Sequence, residues 1–314
     1  MRAPAILLIK KKGMVSVITV NYNNTQVTLE LLSSLFAHET YPLEVIVVDN
    51  GSFENPEKEI NSRFPQVRFV RSERNLGFAG GNNLGIRQAS GEYLFFINND
   101  TEFVIPIISR LVHVLKQDPK IGAVCPMLVY PSGNIQFTGF TPINRWTGRN
   151  KCMTDSTIYS SSPLIKSSFA HGAAFLISRQ LFDQIGWMPE NYFLYFEEFD
   201  WSAKITSLNY SIVVQTDAKL IHKESQTTGK ASELKSYFMS RNRLLFMRRN
   251  FGGPSILFFW IYFLLVASPI HLWRHLMLGQ WNCALAHLAG IFWNIRCSTG
   301  SLLLGYKYNH LNRL

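Results

Sequence analysis

The chain has little cysteine and, over its last third, almost no acid. Its four cysteines, Cys125, Cys152, Cys283 and Cys297, form no CxxC pair and no zinc-site spacing. That excludes a disulfide scaffold and a structural zinc centre, and leaves them as packing residues suited to a reducing compartment. After Asp217 there are twelve Lys/Arg but only Glu224 and Glu233 against them, so this stretch carries the whole formal net charge of +10 and the rest of the chain balances. Basic stretches bind nucleic acid, anionic lipid or phosphorylated substrates. Here the residues between the charges are apolar, which favours lipid over nucleic acid. The N-terminal segment does not read as a secretory leader. Residues 1–13 (MRAPAILLIKKKG) offer an apolar core of about five residues against the roughly 7–15 required, with lysines after it instead of before. The first convincing strand opens at Met14, and 1–13 read as an extension. Nor do Gly77, Gly80 and Gly81 have the GxGxxG spacing of a dinucleotide fold.

What is present is an alternation of strands and helices. Residues 15–20 (VSVITV) are β-branched and apolar, a buried strand that stops at Asn21-Tyr22-Asn23-Asn24. Val27, Leu31, Leu32, Leu35 and Phe36 follow at helical spacing. A second strand at 45–48 ends at Asp49-Asn50-Gly51-Ser52, a third lies at 67–70, and a glycine-rich turn leads into another helix. A fourth strand at 93–97 stops abruptly at Asn98-Asn99-Asp100. This β-α-β-α-β-α-β order implies a parallel sheet with right-handed crossovers. Ligands of such sheets bind beyond the carboxyl ends of the strands, so Asp49 and Asp100 would face one crevice. Asp100 is either part of an Asn/Asp turn or a carboxylate that holds a divalent cation against a phosphate. The glycine turn is either a tight connection or a set of backbone N–H groups offered to a diphosphate.

Further on, 107–115 read as a helix, 121–130 as a strand, and 131–168 as a polar loop. The segment Phe169 to Ile177 is small and apolar; His171 within it is a substrate contact or a satisfied buried histidine. Three carboxylates then fall in four residues, in Tyr195-Phe196-Glu197-Glu198-Phe199-Asp200-Trp201. They are either dipole-favoured acids at a helix start or a general base whose pKa is raised by its aromatic surround. Such a base deprotonates an acceptor hydroxyl as it attacks an anomeric carbon.

VSVITVNYNN, VVDNGS, NLGFAGGNNLG and the strand ending in NND, in this order and followed by the acids and His222, resemble the family 2 glycosyltransferases, nearest the bacterial rhamnosyltransferase-like branch. The resemblance runs from about residue 15 to about residue 250. It implies an α/β fold of GT-A type, a nucleotide-diphospho-sugar transferase fold with a mostly parallel central sheet flanked by helices. It implies a nucleotide-binding half (14–100) and an acceptor half (101–250). Glu198 stands where the family has the second acid of Glu-Asp, its base; being one methylene longer, it leaves Glu197 or Asp200 as alternatives. By the same resemblance Thr19, Val20, Asn21 and Asp49 lie at the base and ribose. Asn75, Gly77, Gly81, Asn82, Asn98, Asn99 and Arg241 lie toward the donor phosphates. His171, Gly172 and Trp201 lie toward the acceptor, though Trp201 is equally a core residue. Asp100 and His222 would hold Mn²⁺ or Mg²⁺, with Asn98 in place of the family's first aspartate leaving metal dependence less certain. The expected partners are a nucleotide-sugar donor, with dTDP-rhamnose a candidate, and a glycan on a polyprenyl diphosphate.

Residues 254–273 and 275–295 each lack Asp and Glu, and Arg274 separates them. They suit a helical hairpin across a bilayer, two helices lying in its surface, or a buried pair or homo-oligomer contact. Residues 251–314 are thus expected as a membrane-associating tail at the cytoplasmic face of the plasma membrane. A processive synthase would need QxxRW after the acids; Arg145-Trp146 precedes them and lacks the glutamine. A non-catalytic nucleotide-sugar-binding membrane protein would not need the acids at 197, 198 and 200.

Overall fold

The computed structural model describes residues 11–154, 163–223 and 232–308. The first four strands, β1 (Lys11–Asn21), β2 (Leu43–Asp49), β3 (Arg68–Arg71) and β4 (Gly91–Ile97), alternate with helices α1 (Thr25–His38), α2 (Glu57–Arg63) and α3 (Gly77–Gln88). All four strands are parallel, in the order β4-β1-β2-β3. Each stops where its β-branched run meets the polar residues noted above, so their carboxyl ends form one edge. Close packing of α3 on this sheet explains two of its glycines. A Cβ on Gly85 would lie 2.5 Å from Ile18, and one on Gly81 3.0 Å from Val20.

The chain then continues through β5 (Thr101–Phe103), α4 (Ile108–Gln117), β6 (Ile121–Val129), β7 (Ile135–Phe137), β8 (Gly139–Phe140), β9 (Cys152–Met153), β10 (Leu164–Ser167), β11 (Ala174–Ser178), α5 (Arg179–Ile185), α6 (Glu197–Ser207) and β12 (Ser211–His222). The residues expected as an unassigned loop thus contribute short strands and a hairpin arm built on β8 and β9. The sheet reads β10-β12-β6-β11-β4-β1-β2-β3, with β5 on β12 and β7 on β6. It is unbroken across residue 100, so the two expected halves are two sides of one sheet. Two antiparallel insertions decide the site. β11 runs antiparallel to β4, with Ala174 opposite Ile97, so the segment before it starts at the carboxyl end of β4. β12 ends antiparallel to β5, with His222 opposite Thr101.

The tail does not stand apart. Helix α7 (Glu233–Asn250) leads into a 24-residue helix, Pro254–Met277, made of α8 (Pro254–Tyr262), a π-helical turn (Phe263–Ala267) and α9 (Ser268–Met277). Among the described residues it is the one helix long and apolar enough to cross a membrane. One face, Ser255, Phe259, Phe263, Ala267 and Ser268, is buried at helical spacing. The second apolar segment forms α10 (Trp281–Arg296), which lies against α7. A Cβ on Gly290 would lie 2.2 Å from Ser240 Oγ and 2.8 Å from Tyr237 O, so the backbones meet with nothing between them.

Candidate active site

The nucleotide end of the crevice is a closed polar network. Asn21 Nδ2 donates to Asp49 Oδ1 at 2.9 Å and to Ser52 Oγ at 3.3 Å, and Thr28 Oγ1 donates to Asn21 Oδ1 at 2.9 Å. Ser52 Oγ donates to Asp49 Oδ1 at 2.5 Å, while Arg71 Nε stands 3.5 Å from Oδ2. Asn99 Nδ2 donates to Thr28 Oγ1 at 3.0 Å, tying the NND turn to the first helix. Thr19, Asn21 and Asp49 are wholly buried. Asp49 engages both its oxygens inside this network.

The glycine turn departs from expectation. Leu76 N–H donates to Asn50 Oδ1, Gly77 N–H to Asn75 Oδ1 and Phe78 N–H to the Phe193 carbonyl. The N–H groups of Leu76, Gly77 and Phe78 are thus engaged within the fold. Gly77 has φ +72°, and a Cβ there would lie 2.1 Å from Phe193 O, so glycine is required for the fold. Gly81 faces Val20, and Asn82 Nδ2 caps the Phe78 carbonyl within its own helix. Beside this turn, Arg74 Nη1 is buried without a partner. It is the better cation for a phosphate, and an arginine in a polar loop gave no signal of it.

The catalytic end gathers residues far apart in sequence. Asn98 N–H donates to the Ala173 carbonyl at 2.8 Å, and Lys223 N–H to the Asp100 carbonyl at 2.9 Å. His222 Nε2 lies 3.3 Å from Asp100 Oδ1, and its Nδ1 is 2.7 Å from Gln136 Oε1. Gln136 was not anticipated; it sits on β7 within what read as a loop. An amide oxygen accepts, so Nδ1 donates to it, and Nε2 is the nitrogen that faces the carboxylate. Two electron-rich atoms that close need a proton or a cation between them, and Asp100 Oδ1 has no well-aligned hydrogen-bond donor. This pair fits a hard divalent ion that takes its other oxygens from a diphosphate and water. Among the described residues no group of three or more His, Cys, Asp or Glu gathers as a fuller protein cage.

The His171 ring is stacked on Phe140 at 5.6 Å and stands 6.0 Å from the His222 ring. Burial, and then His222, push its pKa down to about 3, so it is neutral and serves as a wall with Nδ1 accepting from Ala173 N–H. On the next residue, a Cβ at Gly172 would lie 3.6 Å from Glu198 Cδ. That is an ordinary contact distance, so the Glu198 carboxylate stands directly beside Gly172.

Glu197 and Glu198 open α6, where the helix dipole favours charged carboxylates. Desolvation wins: it raises Glu198 to about 7, and with the charge of Glu198 it raises Glu197 well above the usual range. Glu197 Oε2 is buried without a partner. The backbone leading in is strained, with φ of +66° at Phe193, +70° at Tyr195 and +73° at Phe196. Asn242 holds it: its Nδ2 donates to the carbonyls of Tyr192, Leu194 and Tyr195 at 2.9, 2.7 and 2.9 Å.

Three other expectations are corrected here. Asp200 is not a free base: Arg249 grips both its oxygens at 3.1 and 3.0 Å, and Asn250 and Tyr192 add further bonds. Trp201 is 1% exposed and packs edge-on against Phe96, Phe175 and Phe182, a core residue and no sugar platform. Arg241 is fully buried, stacked 3.8 Å above Trp293, and donates to Asn242 Oδ1 and the carbonyls of Asn191 and Leu303. It supports the acidic loop and does not reach a phosphate.

A mostly parallel sheet whose strand ends carry a carboxylate–imidazole pair and, beside Gly172, an acid pair with raised pKa values has the architecture of a GT-A-type sugar-nucleotide transferase fold. Residues 16–186, more than half of the chain, match glycosyl transferase family 2, and the chain belongs to that family. An N-acetylglucosaminyl-diphospho-decaprenol L-rhamnosyltransferase of Mycobacterium tuberculosis is 25% identical over 258 residues, covering 71% of this chain and 81% of that protein. An uncharacterized protein, y4gI of Sinorhizobium fredii, is 26% identical over 258 residues; the match covers 77% of this chain but 28% of that much longer relative. Among solved structures, the mannosyltransferase PcManGT from Pyrobaculum calidifontis, in complex with GDP-Man and Mn2+, superposes with a TM-score of 0.56 at 18% identity, covering 100% of this chain and 92% of that one.

Proposed function

We propose that this glycosyltransferase moves a sugar, with rhamnose the candidate, from a nucleotide-diphosphate donor to a polyprenyl-diphosphate-linked glycan in one inverting step of cell-surface polysaccharide synthesis. The observation that carries the reading is Glu198, a carboxylate raised to about 7 and lodged against Gly172, on the same strand-end edge as Asp100 and His222. Its carboxylate takes the proton of the acceptor hydroxyl as that oxygen bonds to the anomeric carbon. The bond from that carbon to the donor diphosphate breaks on the opposite side, and its electron pair leaves with the nucleotide. One base suffices for this displacement. Glu197, kept neutral, adds no second charge beside it. Asp100 and His222 would hold the divalent ion, Mn²⁺ or Mg²⁺, which offsets the charge building on the leaving diphosphate. PcManGT, of the same fold, was solved with Mn2+ and GDP-Man, and the mycobacterial relative is named for a lipid-linked acceptor; both support this assignment.

The tail reads as an in-plane membrane anchor. Its long helix spans about 36 Å, enough to cross a bilayer, but Gly148, Arg149 and Arg243 of the catalytic domain stand against Phe259, Tyr262 and Phe263 midway along it, and His287 of α10 covers Phe263 and Ser268. A helix with a charged domain along its side cannot sit across hydrocarbon. The outer face, including Leu257, Phe258, Ile261 and Leu265, is exposed and suits the lipid surface. The β8–β9 arm connects the two regions: Phe140 stacks on His171 at its base, and Trp146 meets Phe258 edge-on at 5.4 Å at its tip.

The test is turnover of a nucleotide-sugar panel by wild type and Glu198→Gln, together with calorimetric binding of the nucleoside diphosphate. Transfer and donor hydrolysis should fall by about 10²–10⁴-fold with binding unchanged. A Glu198→Gln enzyme as active as wild type would remove the base assignment.

A further inference from the structure

Between α7, α9 and α10 lies a cavity of about 360 Å³ that the transfer reaction does not use. Lys235 and Arg243 line it from α7, His271, Arg274 and His275 from α9, and Gln280 from the turn before α10. Among the described residues no carboxylate is in its wall. Of the acids beyond Asp217, Glu233 is held by Lys307 at 2.6 Å and by Tyr306, and Glu224 lies outside the described residues. Arg243 spends Nε and Nη2 on the carbonyls of Gly148 and Thr147 at 3.0 and 2.7 Å. The side chains of Lys235 and Arg274 carry no bond to any described residue. Like charges converging on a hollow repel one another, and an anion removes that repulsion. Immediately outside it the same helix exposes Leu265, Ile270, Trp273, Met277 and Leu278. The cations thus stand just behind an apolar face, at the depth where lipid phosphates lie when such a face enters a bilayer surface.

We infer that this cavity binds the phosphate headgroup of an anionic phospholipid, with Lys235 and Arg274 as its principal contacts. The inference rests on the in-plane membrane reading above. Binding there fixes the rotation of the long helix about its axis, and through Arg243 it bears on the arm that ends at His171.

The experiment is flotation of the full chain with vesicles of phosphatidylcholine alone or doped with phosphatidylglycerol. Wild type should prefer the doped vesicles. Lys235→Gln and Arg274→Gln should each cut that preference about fivefold, since a cation at the bilayer surface contributes about 1 kcal/mol. Binding to phosphatidylcholine and the Tm should not change. Arg296→Gln, which removes the same charge outside the cavity, should have little effect. Equal losses in all three variants would mean diffuse attraction and overturn the site, as would no loss in the cavity variants. Wild type floating on both vesicles alike overturns the site but keeps the membrane reading; floating on neither overturns both. Stabilisation by inorganic phosphate alone equal to that by doped vesicles would assign the cavity to free phosphate. Stronger binding to vesicles doped with a polyprenyl diphosphate would assign it to the acceptor lipid. Either result would overturn the phospholipid assignment.

Discussion

The two ends of the crevice are built in opposite ways. At the nucleotide end Asn21, Thr28, Asp49, Asn50, Ser52 and Asn75 satisfy one another, while Thr19 Oγ1 and Arg74 Nη1 beside them lack partners. At the catalytic end Asp100 Oδ1 and Glu197 Oε2 lack donors, the backbone at Phe193, Tyr195 and Phe196 is left-handed, and two carboxyls are held above their ordinary range. Buried polar groups are normally paired, so an unpaired one calls for a reason. The closed network maintains the fold, and the open one is kept for a ligand. Substitutions at the first end should therefore cost stability, and those at the second should cost activity.

The strongest way to break this contrast is Asp100→Asn. Activity should fall by about 100-fold or more, as ligand losses do at metal sites. Mn²⁺ binding, followed by its paramagnetic signal, should weaken in parallel, with Tm unchanged or raised. A fall in Tm with Mn²⁺ binding intact would make Asp100 a structural turn residue. Next is Asn242→Ala, which removes three bonds to a strained loop. It should lower kcat by about tenfold or more while leaving donor KM within twofold, because the loop positions the base. A change confined to Tm would reduce Asn242 to scaffolding. Asp49→Ala should do the reverse of Asp100→Asn. It should destabilise by about 2–3 kcal/mol through the donors it orphans, measured by urea unfolding. A strong loss of nucleotide binding without that cost would return Asp49 to the ligand.

The gentlest probe is pH. Glu198 must lose its proton to act, so kcat/KM should decline as pH falls through about 7. Stability has the opposite sign. The folded state holds a proton that the unfolded chain releases near the usual glutamate value, so stability falls as pH rises from about 4.5 through 7. Glu198→Gln should lessen that slope, leaving the part owed to Glu197, and raise Tm at pH 8 more than at pH 5. Wild type with a flat Tm across this range would contradict the buried-acid picture.

Much of the site was legible before folding was considered. Asp100, His222, Gly172 and Glu198 were visible as motifs. An apolar strand that runs straight into an acid, and carboxylates set among aromatics, incur a desolvation cost that a plain turn or helix start does not require. For Arg241, Asp200, Trp201 and the glycine turn the sequence left a packing role and a ligand role both open, and the fold gives each a packing or hydrogen-bond partner. Nearness in sequence says nothing about direction on a helix. Residues 197, 200 and 201 share the i, i+3, i+4 face of α6 and are buried. Residue 198, one step around, is the acid turned to Gly172. Asn242 was visible only as half of the Arg241-Asn242 pair that resembles the family's, and nothing in that pair showed that its carboxamide holds three carbonyls.

The sequence by itself determined the alternation of β-branched runs and helical stripes, hence a parallel sheet whose polar strand ends share one edge. It also determined that the basic charge is concentrated in an apolar tail. Only the tertiary structure decided which groups remain unpaired. Hydrogen-bond partners such as Gln136 for His222, Phe193 for Phe78 and Arg249 for Asp200 lie 86, 115 and 49 positions away. Pairing at that range is set by sheet order and helix phase, and local pattern cannot encode it.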